Sequence, residues 1–278
     1  MNMVNQTFRI IVISAIAALL ASCTTTPVTG RTQLRLVGSS AMLSMSQQQY
    51  DQVLHENELS TDVEATAMVK RVGTNIQRSV ERYFVERGMK RELDDYEWEF
   101  NLIKSDEVNA WCMPGGKIAV YTGILPVTKD ENGLAVVIAH EVGHAVAGHG
   151  AERMSHMLAA QLGGIALSVA MADRPDSTQQ LWMTVFGLGA QVGFILPYSR
   201  VQEYEADHLG LVFMAMAGYD PEGAIEFWQR LAAEKKGSSP PAFLSTHPTD
   251  ASRIQRIRSL MPETRRYYDE YRRTSRAR

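Results

Sequence analysis

The chain has 278 residues, with 28 Lys+Arg against 31 Asp+Glu, a net charge of −3 and two cysteines. With 45% hydrophobic and 21% charged residues it has globular composition, which argues against a disordered chain, and its near-neutral balance argues against a nucleic-acid binder. Cys23 and Cys112 are too few and too far apart for a thiolate cluster or a multi-disulfide scaffold.

Residues 1–22 read as a secretory signal. Arg9 leads into the apolar run Ile10–Leu20, too short to span a bilayer, and then into Leu20-Ala21-Ser22-Cys23. Small residues before a cysteine resemble the lipobox of bacterial lipoproteins, in which Cys23 is lipidated and becomes the first mature residue. Thr24 after it resembles the pattern of outer-membrane sorting in Gram-negative bacteria. Residues 23–40 then read as a lipidated tether, opening on the turn-rich Thr24–Arg31, and 41–278 as a single domain. In an oxidising compartment Cys112 is left unpaired.

Runs poor in Gly and Pro predict amphipathic helices over Ala41–Leu59 and Asp62–Arg87. Alternation over Tyr96–Ile103 predicts a strand with Trp98, Phe100 and Leu102 on one face. Asn109–Met113 and Lys117–Tyr121, joined by Pro114-Gly115-Gly116, predict a hairpin. From Leu134 the chain is helical in character, so the fold class is α+β, mainly helical, with a small sheet. Met154–Ala172 and Ser177–Ser199 carry no formal charge. Their glutamines and glycines favour a helical hairpin packed over the core, turning at Ala172–Asp176, above a membrane span. The stretch from Arg253 carries nine Arg and reads as a solvated final helix.

The chemistry sits in His140-Glu141-Val142-Gly143-His144. Residues four apart on a helix differ by about 40° around its axis, so both imidazoles address one target, as two nitrogen ligands of a zinc ion do. Glu141 on the neighbouring edge is placed as general base toward the attacking water. A third histidine six residues past His144 is absent, since Gly150 stands there. His149 would lie about 180° from His140 on a continuous helix, facing away. Glu203 and Asp207, again four apart, supply the alternative: Glu203 as third ligand, and Asp207 accepting the second ring N–H of a ligand histidine, with His140 as its partner.

His140–His149 followed further on by Ser199–Asp207 resembles the gluzincin metallopeptidase family that includes HtpX, Oma and the CAAX prenyl proteases. The signal and lipobox make the chain similar to its periplasmic lipoprotein type, such as LoiP and BepA. Pro27–Arg31, Asn109-Ala110 with Pro114-Gly115-Gly116, and Thr246-His247-Pro248 before Arg253-Ile254 extend the resemblance over nearly the whole mature chain. Transmembrane helices of the HtpX type and the helical repeats of BepA are not expected. The resemblance implies a zincin-like fold, one zinc ion per chain and an endopeptidase acting on unfolded or misassembled envelope proteins. It would sit on the periplasmic face of the outer membrane, held by lipid on Cys23, with the outer-membrane assembly machinery as a further partner. Asn109, Ala110, Trp111 and Cys112 become an edge strand that pairs with substrate backbone. His247 approaches the metal, either plugging its fourth position or stabilising the oxyanion, and Arg200 and Arg253 orient carboxylates. The alternative is a lipid-anchored chaperone or assembly factor that uses the same cleft with the zinc silenced.

Overall fold

The computed structural model describes residues 23–26, 29–191, 196–234, 241–248 and 251–276. The signal segment 1–22, Pro27 and Val28 of the Pro27–Arg31 motif, residues 192–195 of the second charge-free segment and residues 235–240 lie outside them. In chain order the elements are β1 (Cys23–Thr25), β2 (Thr32–Leu34), α1 (Ser39–Glu56), α2 (Val63–Glu86), β3 (Glu99–Ile103), β4 (Ala110–Met113), β5 (Lys117–Tyr121) and α3 (Leu125–Thr128). There follow α4 (Glu131–Val146), α5 (His149–Ala170), α6 (Asp176–Ala190), α7 (Leu196–Met216), α8 (Gly223–Glu234), α9 (Ala242–Thr246) and α10 (Ala251–Arg276). The fold is therefore α+β and mainly helical. Two compact units form, one from the described residues of 1–42 and 148–200, the other from those of 43–147 and 201–278.

In the second unit Asp62 caps α2 by accepting from the Ala65 N–H at 2.9 Å. Val69, Val72, Ile76 and Val80 on α2 are fully buried at helical spacing. Gly73 on the same helix faces Phe100 of β3, where a Cβ would fall 2.2 Å from the ring, so α2 lies directly on the sheet. β3 runs parallel to β5, with Phe100 opposite Ile118 and Leu102 opposite Val120. β5 runs antiparallel to β4, with Ala110 opposite Val120 and Cys112 opposite Ile118. The order β3-β5-β4 realises the expected hairpin and puts β4 at an edge. The hairpin turns through Gly115 and Gly116 at φ 88° and 83°, which glycine adopts without strain.

Asp130 caps α4, accepting from the Gly133 N–H at 2.8 Å. Every residue from Gly133 to Val146 is buried, which is why this stretch is apolar all round apart from its three polar motif residues. β4 packs along α4, and Tyr96 Oη donates to the Ala145 carbonyl at 3.2 Å. α7 meets α4 at a pair of glycines. A Cβ on Gly143 would lie 2.9 Å from the Ala206 carbonyl oxygen, and one on Gly210 would lie 3.0 Å from the backbone nitrogen of His140. This close approach sets residues 140–144 against residues 203–207. Gly210→Val is expected to force the two backbones apart, lowering stability by about 1–3 kcal/mol in denaturant unfolding and weakening metal binding with it.

His149, expected to face away from His140 were the helix continuous, is set apart from it by Gly148. At φ 72° it ends α4 and starts α5, so His149 belongs to a new helix and is buried there. In the first unit the start of the expected tether forms a ribbon instead, β1 pairing antiparallel with β2, Cys23 opposite Leu34 and Thr25 opposite Thr32. Arg31 forms a bidentate pair with the fully buried Glu152 of α5, both contacts at 2.7 Å. The Leu36 N–H donates to Ser155 Oγ at 2.9 Å. α5 and α6 form the expected hairpin, turning between Ala170 and Asp176. Among the described residues no helix is long and apolar enough to cross a membrane.

Candidate metal centre

His140 and His144 from α4, Glu203 from α7 and His247 at the end of α9 meet in one buried cluster, with a ligand atom of each within 4.8 Å of the others. His140 Nε2 lies 3.2 Å from both His144 Nε2 and His247 Nδ1. Carboxylate oxygens of Glu203 lie 3.4 Å from His140 Nε2, 3.3 Å from His144 Nε2 and 3.1 Å from His247 Nδ1. A tetrahedral ion with bonds of about 2.0–2.1 Å separates its donors by about 3.3–3.4 Å along each edge, so this set is spaced as the corners around one ion.

The charges agree. The carboxylates of Glu141, Glu203 and Asp207 are buried against one buried guanidinium, Arg253, leaving two negative charges that a divalent cation neutralises. Burial raises the Glu203 pKa, but the imidazoles of His144, His140 and His247 outweigh it and hold the group far below the ordinary range. His140 shows the complementary effect. Burial alone would lower its pKa, yet the Asp207 and Glu203 carboxylates push it up to about 9, so in the metal-free protein a proton there partly replaces the cation. The residues therefore fit a metal.

Around the donors the expected partners are in place. Asp207 Oδ1 lies 3.1 Å from His140 Nδ1, the predicted pairing. Glu141 Oε1 sits 3.3 Å from His247 Nε2, beside the donor set and outside it. His247, which the resemblance places near the metal, is buried because α9 is pinned. Phe243 N–H donates to the Val108 carbonyl at 3.0 Å, and His247 N–H to the Phe243 carbonyl at 2.8 Å. The same contact ties α9 to the residue preceding the edge-strand segment. Ala110, Trp111 and Cys112 lie in β4, while Asn109 stands just before it and accepts from the Tyr121 N–H at 3.1 Å. Cys112 is a free, half-buried thiol whose pKa is pushed well up by burial and, second, by the charge of Glu141. The backbone at Cys23 is described as the start of β1.

Of the two arginines proposed to orient carboxylates, Arg200 is exposed. Arg253 is buried and reaches Asp207 through Nε and Nη2, both at 2.8 Å. Trp228 was not anticipated. Arg253 stacks over its ring at 3.5 Å, and His140 meets it edge-on with ring centroids 5.5 Å apart. In the sequence Trp228 is one apolar position among several on α8, and nothing marks it for the site.

The profile of peptidase family M48 matches residues 70–261. The chain belongs to that family. It is 39% identical over 186 residues to the mitochondrial metalloendopeptidase OMA1 of Schizosaccharomyces pombe, covering 65% of this chain and 53% of that protein. It is 31% identical over 246 residues to the mitochondrial metalloendopeptidase OMA1 of Bos taurus, covering 85% and 46%. Against the beta-barrel assembly-enhancing protease of Yersinia pestis it is 31% identical over 166 residues, covering 58% and 34%. The chain thus spans about half the length of the first two relatives and a third of the last. Membership of a metallopeptidase family accords with the buried donor cluster, since both imply a metal.

Proposed function

We propose that this chain is a zinc-dependent endopeptidase of the bacterial envelope that cleaves unfolded or misassembled envelope proteins. The observation that carries this reading is the meeting of His140, His144 and Glu203 in one buried cluster, with Glu141 beside it and an edge strand along the same helix. Two imidazoles and a carboxylate are the donors of a catalytic zinc. Bound there, zinc would polarise the scissile carbonyl and lower the pKa of the attacking water toward neutrality. Glu141 takes the proton of that water and delivers it to the leaving amine. Asp207 fixes the tautomer and orientation of His140. β4 offers its outer main-chain groups to an extended peptide, a mode that reads backbone shape more than side chains and so suits unfolded protein.

The signal segment and lipobox support a place on the periplasmic face of the outer membrane of a Gram-negative bacterium, through lipid on Cys23. The name of the Yersinia pestis relative supports the outer-membrane assembly machinery as a neighbour. The mitochondrial relatives are named for another compartment, and the lipobox is what favours the envelope here. His247 fills the fourth donor position, which supports a resting plug. A closed four-donor set also favours the second reading, an anchored assembly factor with its zinc silenced.

The test is cleavage by the zinc-loaded protein of an unfolded polypeptide and of its folded form. Faster cleavage of the unfolded form, stopped by chelator and restored by zinc, is expected. Equal rates would remove the quality-control role, and absence of zinc-restored cleavage would favour the assembly factor. His247→Ala is expected to keep its zinc and cleave faster than the parent; slower cleavage would make His247 an oxyanion donor instead. Zinc affinity should depend on pH in a defined direction. Binding must displace the His140 proton, held up to about pH 9, so affinity rises about tenfold per pH unit and levels off above that value. An ordinary histidine would level off near 6.5. Competition against a chromophoric chelator across that range reads the difference.

A further inference from the structure

From Met154 to Gln191 the only charged side chains are Asp173, Arg174 and Asp176, all at the turn between α5 and α6. The two helices meet through small residues, a Cβ on Gly163 falling 2.9 Å from the Phe186 ring and one on Gly164 3.7 Å from it. The Phe186 ring of α6 thus rests on the bare backbone of α5, while most of the large apolar side chains of the two helices point elsewhere. Leu162, Ile165 and Val169 on α5, and Leu181, Trp182 and Leu188 on α6, are between 48% and 68% exposed. Of the fifteen large apolar side chains exposed among the described residues, ten lie on this hairpin, so they are a patch and not scatter. Leu162, Ile165 and Val169 follow the spacing of one helical stripe, as do Leu181, Val185 and Leu188. Helices of 22 and 15 residues are about 33 and 22 Å long, and an apolar surface of that extent is larger than soluble monomers leave in water.

We propose that this face of the hairpin lies on a lipid bilayer, with both helices along the surface. Two observations choose lipid as the occupant. β1, β2 and the hairpin belong to one compact unit, locked together by the pairing of Arg31 with the buried Glu152 carboxylate and by the Leu36–Ser155 hydrogen bond. Cys23, read under the proposed function as the lipid-bearing first mature residue, therefore begins the unit that bears the apolar face. Second, an exposed tryptophan, Trp182, stands among aliphatic residues on this face, and indole rings are enriched where membrane meets water. The charged turn opposes insertion tip-first, and neither helix can cross.

The choice of lipid rests in part on the proposed anchor at Cys23, and the test separates the two. The full chain is bound to phosphatidylethanolamine–phosphatidylglycerol vesicles containing phospholipid brominated along the acyl chain, and tryptophan emission is read. Emission of the bound protein is expected to be quenched, and Trp182→Phe, a conservative change at an exposed position, is expected to lose that quenching. Protein that floats with the vesicles without quenching, held by its anchor alone, overturns the proposal, as does quenching that Trp182→Phe leaves unchanged. Efficient disulfide cross-linking between vesicle-bound Leu188→Cys copies would place a second chain on the face and overturn it as well.

Discussion

Glu141→Gln is expected to fold and hold its metal as the parent does, while cleaving unfolded polypeptide on the order of 10²–10⁴-fold more slowly. Glu141 is buried and 3.3 Å from His247 Nε2, yet it is not one of the four converging donors. An amide of the same shape keeps the packing and leaves the donor spacing alone, but cannot take a proton. The loss should therefore fall on turnover. Elemental analysis and thermal unfolding should match the parent, and full activity would sink the assignment of Glu141 as base. The donors behave differently. His140→Ala, His144→Ala and Glu203→Ala each remove a corner of the cluster and should lower bound metal along with activity. If Glu141→Gln restores a deletion strain as well as the parent does, the biological role is that of the anchored assembly factor.

What the sequence made legible here is local. His140 with His144, and Glu203 with Asp207, share helix faces because four residues make about one turn, so each pair could be placed before any fold was known. The Asp207–His140 partnership followed from a chemical need, since a ligand imidazole has a second N–H that must be held. The hairpin of β4 and β5 was announced by Pro114-Gly115-Gly116. The parallel pairing of β3 with β5 was not, because it joins strands across an intervening segment. The burial of His247 was illegible for the same kind of reason. It depends on Phe243 docking on the Val108 carbonyl, a contact between segments remote in sequence. Nothing in the sequence marks Gly143 or Gly210 for a packing role. Only the crossing of α4 and α7 shows that a side chain at either would strike the other backbone. Gly148 ended a helix that periodicity alone would have continued, because its positive φ is a property of the turn and not of the apolar pattern.

Arg253→Met is expected to destabilise the fold by about 3–5 kcal/mol and to lower metal occupancy, although Arg253 is no metal ligand. The guanidinium is 2% exposed. It donates to both oxygens of Asp207 at 2.8 Å, and Nη1 lies 3.1 Å from a Glu203 oxygen. Nη1 also donates to the carbonyls of His247 and Pro248 at 3.3 and 3.1 Å, while the plane rests on Trp228. One side chain of α10 thus ties the carboxylates of α7 to the segment carrying His247. Methionine keeps much of the stem volume, so the loss reports the charge and its fork of donors more than a cavity. The cost comes from what is left behind. Burial acts to raise the Asp207 pKa, and Arg253 is the largest influence holding it below the ordinary range, with His140 next. A group whose folded pKa is depressed stabilises the fold above its unfolded pKa and loses that contribution as pH falls through the folded value. The gap in stability between parent and Arg253→Met should therefore narrow as acid protonates Asp207. Adding Asp207→Asn to the variant should recover part of the loss at neutral pH, because the orphaned charge is gone, whereas Arg253→Lys should recover less than a full repair, since an ammonium cannot bond both oxygens in the same fork. A loss below about 1 kcal/mol at neutral pH, the range of an exposed ion pair, would mean that the Asp207 and Glu203 carboxylates are held in place by something other than Arg253.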